Sequence, residues 1–235
     1  MDRAGKAMRQ WLADGSGPIE DEVLIQGLWD LFGWREGFQR PLSKVANGLR
    51  SFVKSECGLV AGERPPVGQR LKRVPQIITK LGRYPGMKLS RMQDIGGCRA
   101  ILSNSAEVAG VRARIEHRWQ VLGEVHDYTV NPQPSGYRAV HINVMRDNHR
   151  IEIQLRTPRQ HEWATVVERT GLRLRMPLKE GGGDANLLRY FELAARGLAL
   201  EESGQQPDKG FLDDFAEARE RVRHFFRYPT GEATE

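Results

Sequence analysis

Two stretches near the middle of the chain alternate apolar and polar side chains with the two-residue period of a β-strand. In the first, Val140, Ile142 and Val144 alternate with His141, Asn143 and Met145. In the second, Ile151, Ile153 and Leu155 alternate with Glu152, Gln154 and Arg156. A two-residue turn at Asp147-Asn148 pairs the two as a hairpin, with Val144 opposite Ile151 and Ile142 opposite Ile153. The same register sets His141 opposite Gln154 and Asn143 opposite Glu152. A turn of odd length would put apolar residues opposite polar ones, so the pattern itself selects the parity. One face of the hairpin is dry; the other carries an imidazole, a carboxylate and amides.

Around this hairpin the pattern is mostly helical. Residues 1–60 read as helices, with Trp29, Phe32, Gly33 and the WREGFQRPL segment as an aromatic cluster in the core. Pro41 opens a helix to about Lys54 that turns Leu42, Val45, Leu49, Phe52 and Val53 inward. Gly58–Gly68 reads as an exposed loop. Over residues 69–83, Leu71, Val74, Ile78 and Leu81 recur at helical spacing, and Pro75 either kinks that helix or starts a new one. Gly97–Leu102 reads as a buried strand, Ser105–Trp119 as a helix and Gln120–Tyr128 as a strand. Thr157, Pro158 and Gln160 form a helix start with a capping box, and Gly171 can end that helix. Lys179–Asp184 reads as a flexible connection, followed by amphipathic helices and a tail from Tyr228 expected to be disordered. Helices and strands in this order predict a mixed β-sheet flanked by helices, of the α/β or α+β class. The expected divisions are a helical region at 1–60, a core at 61–175 and a helical extension at 176–235.

With 235 residues and 39% hydrophobic content the chain can bury one full core. No apolar run reaches membrane-spanning length, and the start, MDRAGKAMRQ, has no apolar signal region. A cytoplasmic protein without a membrane partner is expected. Cys57 and Cys98 are too few for a disulfide framework or a four-thiolate zinc site. The net charge of +6 favours a polyanionic partner. Its local distribution is sharper. Arg64, Arg70, Lys72, Arg73, Lys80, Arg83, Lys88, Arg91 and Arg99 face a single acid, Asp94, in that stretch. A solvated helix face is the plain alternative, but cations without counter-acids repel one another.

Asp94 precedes a strand and stands beside Gly96 and Gly97, where a carboxylate can hold Mg²⁺ while a triphosphate approaches the backbone. An aspartate in an ordinary turn would read the same. Glu152 lies mid-strand on the polar face, where a metal, a cation or a substrate hydroxyl could satisfy it as ligand or general base. His141 and Gln154 are its neighbours, and Arg150 and Arg156 share its face as candidate phosphate contacts. The loop Asn131–Tyr137, NPQPSGY, ends in an aromatic that can stack a base, or can fill a minor core. The chain has no G-x-x-x-x-G-K-[ST] loop, no G-x-G-x-x-G and no zinc-protease helix.

Four ordered pieces, GQRLKRVPQIITKL, MQDIGGCRAIL, DYTVNPQPSGYRAVH and RIEIQLRTPRQHEWATVVE, resemble the synthetase domain of the RelA/SpoT family over about residues 66–170. The resemblance implies a nucleotidyltransferase-like mixed sheet. It also implies transfer of the β,γ-diphosphate of ATP to a ribose 3′-hydroxyl, with Mg²⁺. Carried over by motif, Arg70, Lys72 and Lys80 contact ATP, with Arg99, Gln154 and Arg156 in support. Asp94 binds Mg²⁺, and Glu152 binds metal or activates the hydroxyl. Tyr137 stacks on the acceptor base, beside Gln133 and Ser135, with His141 near the acceptor's ribose or phosphate.

The departure from the family pattern concerns the acceptor. Synthetases that make (p)ppGpp usually carry PKxNGY in this loop; here Gln133 replaces the lysine and Ser135 the asparagine. One lost charge-assisted contact to a 5′-diphosphate is worth roughly 1.5–3 kcal/mol. The SGYRAVH and HEWATVVE pieces look more like the toxic small alarmone synthetase-like branch, which modifies the 3′ CCA end of tRNA. That reading implies a growth-inhibiting toxin and an antitoxin partner, which the sequence does not identify. GDP, GTP or an adenine nucleotide as acceptor is the alternative. A non-catalytic nucleic-acid-binding module is a third reading, against which Asp94, Glu152 and Tyr137 speak. Oligomeric state is not legible.

Overall fold

The computed structural model describes residues 1–15, 17, 21–60, 62–63 and 65–226. Arg64 and the tail from Tyr228 lie outside the described residues. The chain divides into two compact units, residues 1–126 with 140–155, and residues 127–139 with those from 156 onward. This division does not follow the chain-order boundaries expected at 60 and 175.

In the first unit, helices α1 (Asp2–Ala13), α2 (Glu22–Glu36) and α3 (Gln39–Glu56) precede the sheet. The strands are β1 (Val67–Leu71), β2 (Gly96–Ile101), β3 (His126–Asp127), β4 (Val140–Arg146) and β5 (His149–Arg156), in the order β1-β2-β5-β4-β3. Helix α4 (Val74–Arg83) joins β1 to a 3₁₀ turn at Leu89–Arg91, and α5 (Ser105–Arg118) follows β2. The expected sheet flanked by helices is present. Its dry face carries Cys98, Ala100, Ile142, Val144, Ile151, Ile153 and Leu155, all buried with Leu42, Val45, Leu49 and Val53 of α3 in one core.

The hairpin has the register that alternation dictates. Val144 pairs with Ile151, Ile142 with Ile153, His141 with Gln154 and Asn143 with Glu152. Asp147 and Asn148 hold φ of 46° and 60°, the left-handed pair of a type I′ turn. Asn and Asp tolerate that region better than other residues with a side chain.

Three expectations need correction. Residues 67–71 form an edge strand antiparallel to β2, and α4 begins at Val74 with Pro75 in its first turn. Leu71 therefore belongs to the strand, not to a helix. Gly68, Gln69 and Arg70 are all exposed, so no two-residue period marks this edge. Residues 120–128 are largely irregular: apart from β3 they contribute one bridge, Val121 to Val144, and Gly123 turns the chain at φ 70°. Trp29 and Phe32 are 69% and 46% exposed instead of core. Helix α2 is apolar on both sides, and the side that carries Leu24, Gly27 and Leu31 is the buried one. Trp34 and Phe38 do pack, edge to face at 5.1 Å.

The second unit contains α6 (Pro158–Leu174), a 3₁₀ turn at Leu178–Glu180, α7 (Ala185–Glu202) and α8 (Lys209–Val222). Its core joins Tyr137, Trp163, Val167, Leu178, Leu187 and Phe191. Thr157 and Gln160 form the expected capping box. The helix passes Gly171 and stops at Arg175, the residue in the left-handed conformation. Among the described residues no helix is long and apolar enough to cross a membrane.

Candidate active site

Asp94 sits in the turn that enters β2. Lys72 follows β1, and its backbone N–H donates to the Ile95 carbonyl at 2.8 Å, which carries the β1–β2 pairing up to the carboxylate. The Nζ of Lys72 lies 2.7 Å from Asp94 Oδ2, and the Nζ of Lys80, from α4, lies 3.0 Å from Oδ1. Strand end, helix and turn thus converge on one carboxylate. Burial pushes the Asp94 carboxyl up, but hydrogen bonds and charge from Lys72 and Lys80 outweigh it and hold the group below its ordinary range. A side chain added at Gly97 would meet only the Glu152 carbonyl, at 3.9 Å, so this glycine leaves the polar face of the sheet open.

On that face Glu152 is gripped at both oxygens. His141 Nδ1 lies 3.0 Å from Oε1, and Gln154 Nε2 donates to Oε2 at 2.8 Å. Burial and the charge of Asp94 both raise the Glu152 carboxyl; burial is the larger, yet His141 and Gln154 prevail and the group is held low. Both carboxylates are therefore ionised at neutral pH. Asn143, opposite Glu152, donates to Gln93 Oε1 at 3.1 Å. Arg70 is exposed on β1 opposite Gly97, and Arg99 is half-buried on β2 opposite Gly68. Arg150 is exposed on β5.

The remaining predicted residues lie in the second unit. Within the loop, Gln133 N–H donates to the Tyr137 carbonyl at 3.2 Å and Gly136 N–H to the Gln133 carbonyl at 2.8 Å. Ser135 is buried, and its hydroxyl donates to the Lys179 carbonyl at 3.1 Å. Gly136 holds φ 86° against α7, where an added Cβ would stand 2.8 Å from Ala195 Cβ. Tyr137 is 2% exposed. Its hydroxyl accepts from Arg156 Nη2 at 2.5 Å, with the guanidinium carbon 5.0 Å from the ring centroid. The Lys179 ammonium is 5.4 Å from the same centroid. The aromatic expected to offer an open stacking face is covered here, and Arg156, expected on the polar face of the hairpin, is 1% exposed beside that ring. The close approach that Gly136 permits is to a helix of the protein.

Residues 69–172 match the family described as a region found in RelA / SpoT proteins. The match covers a little under half of the chain. An uncharacterised protein of Mycobacterium tuberculosis is 35% identical over 104 residues, which are 43% of this chain and 38% of that protein. The chain thus matches well under half the length of that relative. A GTP pyrophosphokinase of Bacillus subtilis is 28% identical over 133 residues, 49% of this chain and 63% of the relative. Among solved structures, small alarmone synthetase 2 from Bacillus subtilis superposes with a TM-score of 0.61 at 22% identity, covering 74% of this chain and 95% of that one. Small alarmone synthetase 1 from the same organism, bound to its product pppGpp, gives 0.58 at 21% identity, covering 81% and 98%. These likenesses establish the fold.

The matched residues 69–172 contain every residue expected to hold ATP, metal or acceptor, including Asp94, Glu152 and the 131–137 loop. Two contacts escaped sequence reasoning. Arg35 of α2 donates through Nε to the Lys72 carbonyl at 2.7 Å and so steadies the backbone beside Asp94. Lys179, outside the match, reaches Tyr137. Neither carries a local signal, because both act across long sequence separations. For a metal, Asp94 and Glu152 offer hard carboxylate oxygens, and among the described residues no three His, Cys, Asp or Glu side chains cluster as a site. Carboxylate oxygens are the donor type Mg²⁺ takes, with waters and substrate phosphates supplying the rest of its shell.

Proposed function

We propose that this protein is an ATP-dependent pyrophosphokinase that transfers the β,γ-diphosphate of ATP to a ribose 3′-hydroxyl. The observation that carries the reading is the pair of ionised carboxylates in one unit, Asp94 under two ammonium groups and Glu152 between an imidazole and an amide. The acceptor oxygen attacks the β-phosphorus, the α–β bridging bond breaks, and AMP leaves. Such a reaction needs alignment and charge neutralisation more than covalent chemistry. Lys72 and Lys80 exchange Asp94 for phosphate oxygens, and Arg70 and Arg99 extend the cationic lining. Glu152 takes the hydroxyl proton or shares a cation with Asp94; His141 and Gln154 fix its orientation. Mg²⁺ held by Asp94 and Glu152 would neutralise phosphate charge.

For the acceptor we favour the 3′ end of tRNA, in a translation-blocking toxin with a neutralising partner protein. Gln133 brings no charge for a free 5′-diphosphate, and the net charge of +6 suits a polyanion. A guanine nucleotide is the second reading, favoured by the relative named a GTP pyrophosphokinase. Label transfer from γ-labelled ATP decides, with GDP, GTP, ATP and bulk deacylated tRNA offered in parallel and Glu152→Gln as blank. Label on tRNA supports the first acceptor and label on GDP or GTP the second. No label on any of them removes the pyrophosphokinase reading.

A further inference from the structure

We propose that Asn143 is a positioning residue: its bond to Gln93 keeps Asp94 beside Glu152 when Lys72 and Lys80 turn from Asp94 to the phosphates of ATP. The inference deepens the pyrophosphokinase reading and rests on Asp94 and Glu152 acting as a pair. Gln93 stands immediately before Asp94, and its Oε1 accepts from Asn143 Nδ2 at 3.1 Å. Asn143 lies on β4, two residues from His141 and opposite Glu152, so its side chain shares their face. Strand β5, which carries Glu152, lies between β2 and β4. The bond therefore joins the turn entering β2 to β4 across the strand of the second carboxylate. The lysines hold Asp94 itself, Lys72 just after β1, on the other side of β2, and Lys80 from α4.

These anchors differ in what a triphosphate does to them. Phosphate oxygens compete directly for the two ammonium groups. The Asn143–Gln93 bond joins two neutral amides, and its Asn143 end is 6% exposed, so a triphosphate has no such hold on it. It persists when the donor binds, together with the backbone bond from Lys72 N–H to the Ile95 carbonyl. Stability alone does not account for Asn143. Its Oδ1 is buried and finds no partner among the described residues. A buried acceptor left unmade is destabilising, and an apolar side chain of similar volume would avoid that cost. What accounts for the amide is the residue its nitrogen holds.

The test compares wild-type protein with Asn143→Leu, Gln93→Met and the double variant. Amide hydrogen exchange at Lys72, measured without any ligand, reads whether the Asp94 turn stays docked. Loss of one neutral hydrogen bond should speed that exchange about 3- to 10-fold in every variant, with β5 unchanged. Unchanged exchange at Lys72 overturns the proposal. So does faster exchange in β5 to the same degree, since Asn143 would then serve the whole sheet. Steady-state label transfer from γ-labelled ATP is the second measurement. The kcat should fall about 10-fold or more while the KM for ATP stays within about threefold. The double variant should match the worse single one, because both changes remove the same bond. A kcat within about threefold of wild type, or losses that multiply, overturns the proposal. Gln93 is exposed, so Gln93→Met carries both measurements should Asn143→Leu fail to fold. Absence of transfer in every protein, wild type included, refutes the enzymatic reading, while exchange still decides whether Asn143 holds the turn.

Discussion

Replacing Glu152 with glutamine separates chemistry from architecture, because the amide has the shape of the carboxylate and lacks its charge. In the native protein Glu152 accepts from Gln154 at 2.8 Å and faces His141 Nδ1 at 3.0 Å. A hydrogen bond to a charged group contributes about 1.5–3 kcal/mol and a neutral one about 0.5–1.5 kcal/mol. Two such bonds made neutral lose about 2 kcal/mol together, and relief from burying a charge returns part of it. The carboxyl is held low despite burial, so the bonds outweigh that cost and the net loss should be about 1 kcal/mol. For a chain of this length that lowers Tm by about 2–4 °C. The new amide keeps its contact with His141, and Gln154 can turn its own amide to accept. Activity should fall far more, by about 10²–10⁴-fold, if the carboxylate takes the hydroxyl proton. Thermal melts and single-turnover label transfer from γ-labelled ATP measure the two separately. A loss that shrinks as Mg²⁺ is raised identifies a ligand, and one that persists identifies the base. A Glu152→Gln protein with unchanged Tm and activity within about threefold of wild type would refute the reasoning.

Asp94→Ala leaves Lys72 and Lys80 facing each other without their carboxylate, at side-chain exposures of 15% and 29%. A loss of about 1–3 kcal/mol in urea unfolding is expected, together with loss of transfer; unchanged stability would show that the cations are already solvated. Both carboxylates have folded pKa values below their unfolded ones. Their stabilisation is thus complete above the unfolded values, near pH 5, and is lost as pH falls through the folded ones. The urea midpoint should stay level from pH 8 to 6 and drop in acid, with a smaller acid drop in Glu152→Gln; an equal drop in both proteins counts against the assignment. Trp29→Ser should change stability by less than about 0.5 kcal/mol, since the ring is 69% exposed; a larger loss in a chemical melt would mean that the ring is covered in solution.

What the sequence reveals depends on whether a residue's neighbours lie nearby along the chain. The hairpin was legible to the residue because Val140–Val144 and Ile151–Leu155 put apolar side chains on one face and polar ones on the other, which imprints the two-residue period and the parity of the turn. The Glu152, His141 and Gln154 grouping followed from that register alone. Strand β1 left no such imprint, since its outer edge is bare and Gly68, Gln69 and Arg70 are exposed whichever side they point to. Helix α2 hid the opposite problem: Leu24 and Leu31 are buried while Trp29 and Phe32 are exposed, and hydrophobicity cannot rank two apolar faces without knowing where α1 lies. Tyr137 shows the limit most clearly. A loop that ends in glycine and an aromatic fits both a base platform and a packing site, and its own seven residues do not distinguish them. The difference comes from residues well down the chain: Trp163, Leu187 and Phe191 share its core, and the Lys179 carbonyl accepts from Ser135. In this chain the loop carries the uncharged Gln133, and the cation beside the tyrosine comes from the segment that lies beyond the RelA/SpoT match.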